Sequence, residues 1–172
     1  MNTSFVKFGS YYAILNILMT LVIYLLQPEL LFNMYFGWIW LVVLIVFMVL
    51  ATSEKKKRND GFITLQNGFK ESWLTLVIGM GISILFNYVL MNFIDAELLT
   101  MQKEAQIQAV ESIAKSWNLP EENVQKQIEE INSQEGVGFG KTIMSYAVFL
   151  VVGAIPAIII AAVMKKSEDQ NV

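Results

Sequence analysis

The sequence contains no cysteine and no histidine. These absences exclude disulfides, thiolate and imidazole metal sites, Ser-His and Cys-His nucleophile pairs, and histidine pH sensing. Metal binding through carboxylates alone stays open. Charge is also scarce. Asp, Glu, Lys and Arg make up 16% of the 172 residues, against about 25% in a usual soluble domain. Hydrophobic residues make up 55%, so the composition points to a membrane protein. The basic residues form one short juxtamembrane run, which offers no footprint for nucleic acid. Proline occurs only three times, and each instance marks a break or a bend.

What is present are four long apolar segments, predicted as transmembrane helices over 8–26, 31–52, 69–93 and 142–164. About 20 apolar residues cross the hydrocarbon as a helix. A secretory signal peptide is the competing reading of the first segment. That segment ends in Leu25-Leu26-Gln27-Pro28-Glu29, with no small-x-small cleavage pair, so it is expected to be retained. Gln27-Pro28-Glu29 reads as a tight turn. Phe62, Leu65 and Phe69 recur at helical spacing as an interfacial lead-in to the third span, with Thr64 as its N-cap and Trp73 at the headgroup boundary. The fold class expected is therefore all-α: an integral membrane protein with four transmembrane helices in one domain.

Between the third and fourth spans lies a different composition. Residues 95–140 are polar and acidic. Ile107, Val110, Ala114 and Trp117 share one helical face, and Val124, Ile128 and Ile131 stripe a second helix. Asn118-Leu119-Pro120-Glu121-Glu122 reads as a stop and restart. The region is predicted to be an extracytoplasmic helical hairpin.

Its side follows from charge. The run Lys55-Lys56-Lys57-Arg58 cannot sit in hydrocarbon, and the positive-inside rule puts it in the cytoplasm. Both termini then lie inside. The inner segments carry eight cations against five acids, and the outer segments four cations against ten acids. The inverted topology would reverse every loop. Lys55, Lys56, Lys57, Arg58 and Lys70 are the expected membrane-surface residues, facing anionic headgroups of the bilayer.

Lys55 to Lys70 carries a resemblance. With Gly61, Ile63, Thr64, the pair Phe69-Lys70, then Phe93-Ile94-Asp95 and Lys165-Lys166, it resembles an uncharacterised, mainly Bacteroidetes family of four-helix membrane proteins. That family is a domain of unknown function. Leu65 departs from the aromatic expected there. The resemblance implies the same four-span layout in a bacterial inner membrane, and no activity.

Candidate sites are few. Asn16 and Thr20, and Ser83 and Asn87, form polar pairs four apart in the first and third spans. Such pairs face the bundle interior, either to hydrogen-bond between helices or to line a path for a small solute. No charge lies in the middle of a span, so an ion-coupled transporter lacks its usual group. Gly79 and Ser83, and Gly153, Ala157 and Ala161, follow small-xxx-small spacing, which favours close helix packing within or between subunits. Pro156 is expected to kink the fourth helix. Gly136, Gly138 and Gly140 lack the strand that precedes a phosphate loop. The acids of 95–140 lack the alternation of an EF-hand, and a solvated face is the plainer reading.

No catalytic, cofactor-binding or metal residue stands out, no cofactor is implied, and an enzyme is not expected. Two function classes remain. One is a non-enzymatic scaffold or accessory subunit, associating with a second copy or a membrane partner through Val110, Trp117, Val124 and Ile128. The other is a small-solute channel or transporter formed by oligomerisation.

Overall fold

The computed structural model of the protein describes residues 3–133 and 138–166. Glu135, Gly136, Glu168 and Asp169 lie outside these residues. Six α-helices are present among the described residues: α1 (Ser4–Leu26), α2 (Met34–Lys57), α3 (Leu65–Val89), α4 (Glu97–Trp117), α5 (Glu121–Asn132) and α6 (Phe139–Met164).

The helix ends follow local chemistry. Pro28 opens a 3-10 turn, Pro28–Phe32, and Asn33 Oδ1 then accepts the Tyr35 N–H at 2.9 Å. The second long helix therefore starts at Met34 rather than at 31. It also runs past 52 to Lys57, because lysines are good helix formers and their cations suit a helix C-terminus. Thr64 caps α3 as expected, its hydroxyl accepting the Asn67 N–H at 3.2 Å. A wider π turn, Leu90–Ile94, continues α3. Asn118 ends α4 in the left-handed region (φ 49°), and Pro120 precedes α5.

Four helices are long and apolar enough to cross a membrane: Ser4–Leu26, Tyr35–Lys57, Leu65–Ile94 and Phe139–Met164. α3 is central and packs on α1, α2 and α6. Small residues set the close approaches. A methyl at Gly9 would come within 3.0 Å of the Thr75 carbonyl oxygen, and one at Gly79 within 2.7 Å of the Tyr12 ring. On the other side of α3, Ala157 and Ala161 are fully buried, and Gly153 abuts Leu76. The small-xxx-small positions thus pack helices within one chain. α6 runs through Pro156 as one helix. Side chains of α3 and α6 bond across to backbone carbonyls, through Trp73 Nε1 to Leu150 O (3.1 Å), Ser72 Oγ to Ala157 O (3.3 Å) and Tyr146 OH to Val77 O (2.7 Å).

The burial pattern differs from that of a water-soluble bundle. Leu18, Val42, Leu85, Val151 and Ile158 point outward, while Asn16, Thr20, Thr52, Ser72, Thr75 and Ser83 are buried beside the apolar core of Tyr12, Leu44, Met48 and Leu76. An apolar surface with polar side chains turned inward suits hydrocarbon surroundings. α4 and α5 pack on each other, and the base of α4 rests on the turns Pro28–Phe32 and Leu90–Ile94.

Candidate functional site

Two ends of the bundle carry polar structure. The first is where α2 joins α3. Glu71 is 6% exposed, and its Oε1 accepts the Phe5 N–H at 2.8 Å. A carboxylate at the N-terminus of α1 meets unpaired N–H groups and the positive end of the helix dipole. Glu54 forms ion pairs with Lys7 Nζ (2.8 Å) and with Arg58. Lys56 Nζ donates to Met164 O at 2.8 Å and so satisfies a terminal carbonyl of α6. Ile63 and Lys166 exchange both backbone hydrogen bonds at 3.0 Å.

The expected membrane-surface set therefore divides. Lys55, Lys57 and Lys70 are exposed. Lys56 is half-buried as a helix cap, and Arg58 is paired with Glu54. Trp73 is half-buried. It stacks on Phe69 with ring centroids 6.2 Å apart and bonds to α6, because a backbone carbonyl there is in reach of its indole N–H.

At the hairpin end, Asn16, Thr20 and Asn87 line one cavity of about 130 Å³, together with Phe32, Phe36, Trp40 and Met91. This brings together three of the four polar residues singled out in the sequence. The expected hydrogen bonds between helices do not form. Asn87 Nδ2 donates to Ser83 O in its own helix at 2.9 Å, and neither Asn16 Oδ1 nor Ser83 Oγ has a partner. Asn16 is 7% exposed, so its unpaired oxygen is shielded from bulk water. Phe32 also lines a groove of about 440 Å³ that carries Glu29, Glu97 and Glu104. Asn87 and Met91 also line a cavity of about 270 Å³ that carries Tyr88, Gln106 and Lys141. Asp95 holds this end together. Its Oδ2 accepts the Tyr24 hydroxyl at 3.0 Å, and its Oδ1 accepts the Glu97 N–H at 2.9 Å.

In the hairpin, Val110, Val124 and Ile128 are half-buried and Ile131 is buried. Trp117 is 76% exposed, beside exposed Ile113 and Leu119. No group of three or more His, Cys, Asp or Glu poised for a metal ion exists among the described residues.

Sequence reasoning passed over Glu71 and the three acids of the groove. A signal for Glu71 was available, since Gly68, Ser72, Thr75 and Gly79 form a small polar stripe on α3, and Glu71 borders it four residues before Thr75. The groove acids come from two distant segments, so no local spacing reveals them.

The four apolar helices and the polar hairpin define a helical membrane protein by class. Residues 7–166 match the family described as protein of unknown function (DUF4199), and the chain belongs to that family. No curated protein and no solved structure matches the chain.

Proposed function

We propose that the protein is a non-enzymatic, four-span protein of a bacterial inner membrane that serves as a scaffold or accessory subunit. In this reading the Lys55–Arg58 loop and both termini face the cytoplasm. The hairpin stands in water on the other side and holds a second copy or a membrane partner. The observation that carries the reading is the tip of the hairpin. Val110, Val124 and Ile128 are half-buried on helices that pack on each other, whereas Ile113, Trp117 and Leu119 are exposed. The association surface is therefore centred on Trp117 and shifted toward the tip. Burying one large side chain contributes about 1.5–3 kcal/mol, enough to shift a weak association.

Trp117→Ala is expected to weaken self-association, or recovery of a co-purifying partner, in mild detergent. Helical content and insertion of the spans should stay unchanged. Full association by the variant, with loss only of protease resistance in 97–132, would overturn the reading.

A second reading, passage of a small solute, has one observation in its favour: Asn16, Thr20 and Asn87 share a cavity. Against it stand Met48, Ala51, Thr52, Ser72, Thr75 and Ala157, all fully buried in the loop half of the bundle. Solute flux into liposomes by the purified protein alone, abolished by Asn87→Leu, would establish this second reading over the first.

A further inference from the structure

We propose that the cavity beneath the hairpin is a binding site for a small primary ammonium ion, reached through the acidic groove. The argument starts at Asn16. Its side-chain oxygen is a buried acceptor without a donor, and the residue, 7% exposed, lines the cavity. A buried acceptor left unpaired is costly, so a ligand whose N–H or O–H donors reach it is stabilised there. The Thr20 hydroxyl and the Asn87 amide line the same space.

The walls and the mouth select among donors. Phe36 and Trp40 add aromatic rings to the cavity, and ring faces attract cations. Phe32 is common to the linings of cavity and groove, and the proposed entry passes it. Glu29, Glu97 and Glu104 line the groove, and among the described residues no lysine or arginine lines either space. Clustered carboxylates concentrate cations and repel anions at a mouth. On the opposite side, beyond Asn87 and Met91, Lys141 lines the third space and disfavours a cation there. The groove thus carries acids, and the third space carries a cation. The volume of about 130 Å³ leaves room for a small amine such as methylammonium.

The chain has no native cysteine, which makes reagent chemistry clean. In full-length protein in nanodiscs, Thr20→Cys would be reacted with cationic aminoethyl methanethiosulfonate and with its anionic sulfonatoethyl analogue. Each rate is normalised to Lys115→Cys on the exposed hairpin. The cationic reagent should be favoured about 10-fold, the lower range of electrostatic steering. Combining Glu29→Gln, Glu97→Gln and Glu104→Gln should bring the two normalised rates level. Methylammonium should slow the cationic reaction, and Asn16→Leu should remove that protection. Ile23→Cys, on the same cavity, replaces Thr20→Cys if that variant misfolds. Equal normalised rates in the parent, no reaction with either reagent, or no protection by methylammonium would each overturn the proposal. None of these outcomes depends on whether the hairpin tip associates.

Discussion

Gly9 and Glu71 show how single residues fix α1 on the bundle. Gly9 lets α1 touch α3, with the Ile78 Cβ at 2.9 Å from where a methyl would stand. Gly9→Val is therefore expected to lower stability by about 1–3 kcal/mol, as overpacking does, whereas Gly37→Ala, within α2, meets nothing within 4 Å and should raise stability by about 0.4–1 kcal/mol. Unfolding midpoints in detergent would show the difference. Glu71 acts through its charge and its acceptor. Glu71→Ala leaves the Phe5 N–H unpaired and should cost about 1.5–3 kcal/mol, the range for hydrogen bonds to charged groups. Glu71→Gln keeps an acceptor oxygen and should cost less. Equal losses in both variants would mean that the bond itself contributes nothing. The small residues beside Glu71 were legible as a packing face. Its partner was not, because Phe5 lies 66 residues away on another helix.

Among the elements, α4 depends most on a single seat. Leu98, in its first turn, is 1% exposed and lies where α4 meets the turns that end α1 and α3. Leu98→Ala should cost about 2–5 kcal/mol at that seat. Amide exchange in α4 and α5 should then quicken while α1, α3 and α6 keep their protection. Unchanged exchange in the hairpin would show that α4 and α5 hold each other without the base. The apolar stripes of both hairpin helices could be read from helical spacing. How much of each stripe the hairpin uses for itself could not, since that depends on where Asn118 turns the chain. The hydrogen bond of Trp73 was likewise hidden, since its acceptor, the Leu150 carbonyl, lies 77 residues away.

For the whole molecule, the four long apolar segments were readable because hydrocarbon imposes a length and a composition on any helix that crosses it. The adjoining spaces beneath the hairpin were not, because their linings combine α1, the 28–32 turn, α2, α3, α4 and α6. The orientation proposed above has a direct check. Lys115→Cys in intact cells should react with a membrane-impermeant maleimide from outside, and labelling only after the membrane is broken would reverse the topology. The pairing of Ile63 with Lys166, beside the Lys56 cap on Met164, bears on synthesis. Lys56 and Met164 are 108 residues apart in sequence. A growing chain therefore places the donor loop long before its acceptors emerge. Under the proposed four-span layout, the final crossing would work as a parity check on insertion. An even number of crossings after the loop returns residue 166 to the face where residue 63 waits, whereas one missed or extra crossing would leave the two on opposite sides of the bilayer.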